Sequence, residues 1–103
     1  SAASTIAELD GDAVGVCTVE WQKPFWAHET HAWLPDLVVA ERARRRGIAR
    51  ALVADALTRA HAAGASQLSL ESGRGRTAAH SLYRSMGFTE SGRTELLLRS
   101  EAR

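Results

Sequence analysis

Apolar residues recur at helical spacing between residues 47 and 63, while Arg50, Asp55 and Arg59 occupy the opposite face. Gly64 follows directly, and glycine at this place commonly ends a helix because it adopts the left-handed conformation without strain. We therefore predict a helix over residues 47–63. Its inward face carries Ile48, Leu52, Val53, Ala56, Leu57 and Ala60.

Three segments before this helix are rich in β-branched residues or alternate in polarity, and they predict strands over residues 4–9, 13–21 and 31–39. The Asp10-Gly11 pair between the first two favours a tight hairpin turn. Three consecutive antiparallel strands are the simplest arrangement. Pro35 has no N–H to donate, so we expect a bulge or an unpaired position in the third strand.

The chain after the helix repeats the alternation of strand and helix. Residues 66–72 predict a fourth strand with Leu68 and Leu70 facing inward, and residues 77–86 predict a second helix stopped by Gly87. The last segment, residues 88–100, predicts a β-hairpin that turns at residues 91–92. The helix between strands three and four acts as a right-handed crossover, so those two strands pair in parallel. We predict an α/β fold with a mixed, mostly antiparallel sheet and helices on its faces.

The composition is that of an ordinary globular domain. The 103 residues are 45% hydrophobic and 24% charged, which favours a single domain over residues 1–103. No apolar run reaches the length of about 18 residues that a membrane span requires, and the N-terminus lacks a signal-peptide pattern. Cys17 is the only cysteine, which fits a reducing compartment, and we expect a cytoplasmic protein.

Charge is distributed unevenly along the chain. Residues 1–41 contain one lysine and seven acids, a net charge of −6. Residues 42–103 contain twelve arginines and five acids, a net charge of +7. Such asymmetry favours an anionic ligand on one side of the molecule.

Four of the arginines crowd the start of the first helix, at positions 42 and 44–46, directly before Gly47. The first N–H groups of a helix have no intrahelical partner, and the helix dipole adds partial positive charge there. A glycine lets a phosphate approach the backbone, and arginines add charge-assisted hydrogen bonds. The pattern is neither the Walker nor the dinucleotide fingerprint, so a pyrophosphate site and a plain basic surface both stay open.

Two short motifs resemble the GCN5-related N-acetyltransferase (GNAT) family. Its acetyl-CoA signature, Gln/Arg-x-x-Gly-x-Gly/Ala, is matched by Arg44, Gly47 and Ala49. Its second pattern, A-x-x-L-Y-x-x-x-G-F, is matched forty residues later. The residues that match it are Ala79, Leu82, Tyr83, Gly87 and Phe88. The resemblance covers residues 5–99 and implies acetyl-CoA as cosubstrate.

The resemblance also implies roles for individual residues. Backbone N–H groups of residues 45–49 would bind the pyrophosphate, the end of the third strand would pair with the pantetheine arm, and an N–H near Val38 would polarise the thioester carbonyl. Tyr83 would protonate the departing thiolate as a general acid, against the alternative that it is only a core aromatic. The implied cofactor-binding residues are Leu37, Val38, Val39, Arg44, Arg45, Arg46, Gly47, Ile48, Ala49, Arg76, Ala79 and Tyr83.

The chain departs from the family pattern at three places. Arg76 stands where the family often has asparagine, and Trp33 stands near the position of the glutamate base of some members. Asp36 and Glu29 are the remaining candidates for the base. The usual N-terminal strand and two helices are absent, which indicates either a minimal member or a fragment. His28 and His31 lack the spacing of zinc-protease histidines, and we expect no metal.

The predicted function is acetyl transfer from acetyl-CoA to a primary amine of a small molecule or peptide, by direct attack on the thioester. A CoA-binding module without turnover is one alternative, because the N-terminal elements and the usual base are missing. A nucleic-acid binder that uses the arginines is another, although no aromatic residues are interleaved with them. We expect no membrane partner, and pairing of two chains stays open.

Overall fold

The computed structural model describes residues 1–23, 28–71, 77–90 and 95–99. Within these ranges, six strands and two α-helices follow the predicted order, with one 3₁₀ turn, Glu41–Ala43, before the first helix. The strands are β1 (Ala2–Leu9), β2 (Asp12–Gln22), β3 (Thr30–Val39), β4 (Ala65–Glu71), β5 (Thr89–Glu90) and β6 (Glu95–Arg99). The helices are α1 (Ile48–Ala62) and α2 (Thr77–Ser85).

The strands form one mixed sheet in the order β1-β2-β3-β4-β6-β5. The pairs β1–β2, β2–β3, β4–β6 and β5–β6 are antiparallel, and β3–β4 is parallel. These pairings confirm three predictions: that β1, β2 and β3 are antiparallel, that β3 and β4 pair in parallel, and that β5 pairs with β6. The insertion of β6 between β4 and β5 was not predicted, and the turn predicted at residues 91–92 lies outside the described residues.

A bulge interrupts β3 at Pro35, as the missing N–H of proline predicts. Thr18 of β2 pairs with Asp36, but Glu20, two residues on, pairs with Trp33, so Leu34 and Pro35 together stand opposite Val19. Because side chains alternate along a strand, the extra residue brings Trp33 and Asp36 onto the same face of the sheet. That face is the one that bears Thr18 and Glu20.

The core lies between α1 and the other face of the sheet. Leu52, Val53, Ala56 and Ala60 of α1 are buried, and Ile48 and Leu57 pack against the same cluster, so the predicted inward face is confirmed. The sheet contributes Cys17, Val19, Ala32, Leu34, Leu68 and Leu70. Tyr83 of α2 joins this cluster, and Arg50 of α1 donates a hydrogen bond to the Ser85 hydroxyl, which holds the two helices side by side.

Candidate active site

The parallel strands β3 and β4 separate at the carboxyl end of β3. Their pairing ends at Leu34 and Leu70, whereas β3 continues to Val39. Residues 37–39 still pair with β2 on the other side. In the part of the chain that the structure describes, no strand pairs with residues 35–39 on the side of β4. We call this side of residues 35–39 the free edge of β3. An open edge of this kind can pair with an extended ligand.

Alternation along β3 decides which peptide groups reach the free edge. The N–H of Ala40 donates to the Val14 carbonyl at 2.7 Å, so every second residue from Ala40 directs its peptide groups toward β2. Val38 therefore bonds within the sheet, opposite Val16. The peptide groups of Leu37 and Val39 face the free edge. The N–H expected near Val38 is thus that of Leu37 or Val39.

The loop between β3 and α1 has a backbone shape that suits an anion. Arg45 and Gly47 have positive φ angles of 65° and 78°, and Arg46 between them does not. Arg44, before them, is extended, so the loop turns sharply at Arg45 and again at Gly47, and turns of this kind form anion-binding concavities in many proteins. We call residues 44–47 the arginine loop. A Cβ added at Gly47 would meet no protein atom within 4 Å, so glycine is required here by its φ angle and the space beside it is open.

The N–H groups of the arginine loop and the first turn of α1 are available to a ligand. The N–H of Ala51 donates to the Gly47 carbonyl at 3.0 Å and is the first intrahelical bond. Among the described residues, none accepts a hydrogen bond from the N–H groups of residues 45–50. Gly47, the N-cap residue, also has no side chain to satisfy them. These donors and the helix dipole together form a site for negative charge.

The four arginines do not act alike. Arg42 turns toward Asp12, with 3.8 Å between the charged atoms, and both side chains are exposed. Arg44 Nε donates to the Val39 carbonyl at 3.3 Å, which ties the loop to the end of β3. Arg45 and Arg46 are exposed and have no partner among the described side chains and carbonyls. They are therefore the two arginines left for an anionic ligand.

Tyr83 lies in a helix ending that explains most of the second motif. The N–H of Phe88 donates to the Tyr83 carbonyl and that of Gly87 to the Arg84 carbonyl, both at 3.0 Å. Gly87 has a φ of 98°, and the rings of Tyr83 and Phe88 meet edge to face at 5.9 Å. This is a Schellman ending with its hydrophobic contact. The ending uses the carbonyl and the ring of residue 83, and a phenylalanine at this position would supply both.

The candidate bases lie at different ends of β3. Asp36 is exposed, directly before Leu37, on the sheet face away from α1. Glu29 precedes β3 and accepts a hydrogen bond from the Ser66 hydroxyl at 3.1 Å. Val38 lies nine positions after Glu29, a distance of roughly 30 Å at about 3.3 Å per residue of strand. The structure therefore places Asp36, and not Glu29, beside the free edge.

The remaining predicted residues divide by what the structure describes. Leu37, Val39 and Ile48 pack against the core, and Val38 is 59% exposed on the opposite sheet face. Ala49 lies in the first turn of α1. Arg76 lies outside the described residues, and the side chain of Ala79 lies outside them also, although α2 contains its backbone.

Cys17 is not placed for chemistry. It is 2% exposed, and burial, followed by the charges of Asp55 and Asp36, raises the pKa of its thiol to about 11. The thiol is therefore protonated at neutral pH, as befits a small core residue. Among the described residues, no three His, Cys, Asp or Glu side chains are grouped as metal ligands. No helix in the described ranges is long and apolar enough to cross a membrane.

Gly15 lies beside the candidate site, and the sequence analysis did not identify it. It lies in β2 opposite Val39, and the first turn of α1 packs directly over it. A glycine inside a valine-rich strand can indicate close approach of another element, and that signal could have identified it.

Comparison with protein families identifies the fold. Residues 1–88 match the model of the acetyltransferase (GNAT) family. The chain belongs to this family. The predicted resemblance and fold class are confirmed, since the mixed sheet with separating parallel strands is that of a GNAT protein. No curated protein sequence matches the chain.

Solved structures agree with this assignment. The chain resembles the NatC complex bound to Gag peptide and CoA (TM-score 0.83, 21% identity), covering 92% of this chain and 68% of that one. This likeness shows the fold alone. It also resembles an aminoglycoside acetyltransferase from an uncultured soil metagenomic sample (0.76, 29%), covering 85% of this chain and 59% of that one. A third match is ribosomal-protein-alanine N-acetyltransferase from Brucella melitensis, with a TM-score of 0.76 and 25% identity, covering 94% of this chain and 68% of that one.

Proposed function

We propose that this chain transfers the acetyl group of acetyl-CoA to a primary amine by direct attack of the amine on the thioester. The observation that carries the proposal is the juxtaposition of two open hydrogen-bonding surfaces. The N–H groups of residues 45–50 have no acceptor among the described residues, and the free edge of β3 ends directly before them. A molecule with a pyrophosphate and an extended amide-bearing arm fits both.

The arginine loop would hold the pyrophosphate. Its N–H groups supply the donors, the start of α1 supplies partial positive charge, and Arg45 and Arg46 supply full charges. The peptide groups of Leu37 and the N–H of Val39 would pair with the pantetheine arm as an additional strand does. This arrangement directs the thioester along β3, toward Asp36 and away from the loop.

The chain's own groups account for the charge and proton movements. When the amine nitrogen bonds to the carbonyl carbon, negative charge develops on the carbonyl oxygen, and the N–H of Leu37 stabilises it. The carbonyl double bond then re-forms as the C–S bond breaks, the sulfur takes the proton of the Tyr83 hydroxyl, and solvent returns a proton to the tyrosine before the next turnover. A phenol has an ordinary pKa of about 10 and a thiol one of about 8.5, so the proton transfer needs only modest assistance.

Asp36 is our candidate for the group that accepts the proton of the attacking amine. It is exposed on the sheet face that α1 does not cover, so an amine can approach it from solvent. Its negative charge also favours a cationic amine near the thioester. Replacement by asparagine keeps the shape and removes both effects.

The test is an acetylation assay with two acceptor classes. One is an aminoglycoside and the other a peptide with a free alanine amino terminus, because solved relatives are named for these acceptors. Release of the CoA thiol and the gain of one acetyl group by the acceptor are measured for the parent chain, Asp36→Asn and Tyr83→Phe. We expect product with at least one class and a large loss in both variants. Binding of acetyl-CoA without product from any amine would instead favour a CoA-binding protein that does not catalyse the transfer.

A further inference from the structure

Gly15 is a glycine whose backbone does not need one. Its φ lies outside the left-handed region, unlike those of Gly11, Gly47, Gly64 and Gly87. Glycine in the interior of a strand weakens it, since it loses more conformational freedom on folding and offers no side chain for packing. Space, and not backbone conformation, must therefore explain glycine at this position.

Any side chain at position 15 would meet three neighbours at once. A Cβ there would lie 3.1 Å from Leu52 Cδ1, 3.3 Å from the Val38 carbonyl oxygen and 3.4 Å from Ile48 Cγ2. Carbon atoms ordinarily approach one another no closer than about 3.5 Å. The Leu52 methyl can rotate away, but Cγ2 of Ile48 belongs to a β-branched side chain that is stiff in a helix and therefore moves with the backbone. The contact with Ile48 is therefore relieved by an outward movement of the first turn of α1, whereas the contact with the Val38 oxygen lies within the sheet.

Two of the three neighbours, Ile48 and Val38, adjoin the two halves of the proposed site, which are the arginine loop and the free edge of β3. Ile48 is the first residue of α1 and directly follows the arginine loop. Val38 lies between the two residues whose peptide groups face the free edge of β3. Gly15 itself is the cross-strand partner of Val39, in a pair without mutual hydrogen bonds, where side chains stand closest together. A Cβ added at Gly11, Gly47 or Gly64 would meet no protein atom within 4 Å.

We propose that Gly15 is a positioning residue for acetyl-CoA binding. Its missing side chain lets the start of α1 sit against β2 and β3, and this contact fixes the distance between the arginine loop and the free edge of β3. Both surfaces must bind parts of one molecule, so a small change in their separation weakens binding of the whole. The inference rests on the proposed function, in which acetyl-CoA occupies both surfaces.

The test separates the two halves with two ligands. Acetyl-CoA uses the loop and the strand edge, whereas ADP carries a pyrophosphate without the pantetheine arm and uses the loop alone. Calorimetric titrations compare the parent chain with Gly15→Ala, Gly15→Val and Gly64→Ala. Gly64 is the matched control, because it lies at the far end of α1, with a φ of 84° and no atom within 4 Å of an added Cβ.

We expect Gly15→Ala to weaken acetyl-CoA binding at least tenfold and Gly15→Val to weaken it further, with ADP binding changed less than twofold. Gly64→Ala should leave both affinities unchanged. Equal losses for the two ligands, or no loss for either, would overturn the proposal. If Gly15→Ala does not fold, Gly15→Ala combined with Leu52→Val replaces it, with Leu52→Val alone as its control.

A parent chain that binds neither ligand would count against the proposed function. The positioning role would then be tested by a second measurement that needs no ligand. Amide chemical shifts of the ligand-free chains report on Val39, Ile48 and the arginine loop directly. Movement of these signals in Gly15→Ala, but not in Gly64→Ala, supports the positioning role. Unmoved signals would overturn it.

Discussion

The arginine loop and the ending of α2 contain the two family motifs, and their backbones are used in opposite ways. Both place a glycine with positive φ at the end of a helix, Gly47 before α1 and Gly87 after α2. At Gly87 the neighbouring N–H groups bond to carbonyls of the same helix. Beside Gly47 the N–H groups find no acceptor among the described residues.

The two motifs look alike in placing a glycine at a helix end, but this difference indicates that the arginine loop serves ligand binding and that the ending of α2 serves the structure of the helix. The ending of α2 satisfies itself, so its pattern Tyr83-x-x-x-Gly87-Phe88 is explained by helix geometry and ring packing. Only the Tyr83 hydroxyl exceeds what that geometry requires. The arginine loop is incomplete by itself, and its unsatisfied donors point to a ligand.

Tyr83→Phe removes the one atom that the helix ending does not need. The ring contact with Phe88 at 5.9 Å is kept, so acetyl-CoA affinity should change little. Acetyl transfer should fall by about 10²- to 10⁴-fold, the usual contribution of a positioned general acid. Steady-state rates at saturating acetyl-CoA measure it. A variant as active as the parent would reduce Tyr83 to a packing residue.

Phe88→Ala breaks the helix ending and leaves the arginine loop intact. Phe88 is 3% exposed, and truncation of a buried phenylalanine typically costs about 3–5 kcal/mol. Urea denaturation should show such a loss, while ADP affinity per folded molecule stays within about twofold of the parent. If the stability were unchanged, the ring contact would not be part of the core as described.

Arg45→Gln and Arg42→Gln remove the same charge from neighbouring places. Arg45 has no described partner, whereas Arg42 lies 3.8 Å from Asp12. We expect Arg45→Gln to weaken acetyl-CoA binding about tenfold, the loss of one charge-assisted hydrogen bond. Arg42→Gln should change it less than about twofold, because exposed pairs contribute little. Equal effects would mean that the loop acts as diffuse charge and not as a built site.

The smallest expected effect is the loss of stability when the hydrogen bond between β1 and the middle of α1 is removed. Asp55 accepts hydrogen bonds from Thr5 Oγ1 and from Arg59 Nε, and these lower the pKa of its carboxyl below the ordinary 3.8. A lowered pKa gives stability that is present above pH 3.8 and is lost as the pH falls below it. Thr5→Val should therefore cost about 1 kcal/mol at pH 7 and less at pH 3.

Thr58→Val is the control for that prediction. The substitution changes the side chain in the same way as Thr5→Val, but the Thr58 hydroxyl donates its hydrogen bond to the Ala54 carbonyl within α1. Urea denaturation at both pH values should show no pH-dependent difference for Thr58→Val. A loss for Thr5→Val that is equal at pH 7 and pH 3 would contradict the role of the Asp55 carboxylate.

Periodicity and turn residues predicted nearly all of the fold. The apolar stripe from Ile48 to Ala60, the glycine after α1 and the proline bulge in β3 all act locally, and each appears where expected. The place of β6 between β4 and β5 was not predicted, because neighbours in a sheet depend on the packing of the whole chain and not on local pattern.

The candidate site was predictable only where a motif names its residues. Gly47 and Tyr83 follow from spacing and resemblance. Gly15 lies thirty-two positions before Gly47, and only the packing of α1 on β2 brings the two close. The choice between Asp36 and Glu29 also needed the structure, because it depends on which end of β3 carries the free edge.

The most direct test of the contrast is a pair of substitutions at the two ends of α1. Gly47 and Gly64 flank α1 with φ angles of 78° and 84°, and an added Cβ meets no protein atom at either. Alanine should therefore cost both ends similar stability, about 1 kcal/mol. Calorimetric titration with acetyl-CoA should show at least a tenfold loss of affinity for Gly47→Ala and none for Gly64→Ala. Equal affinities in the two variants, or a parent chain that does not bind, would contradict the account.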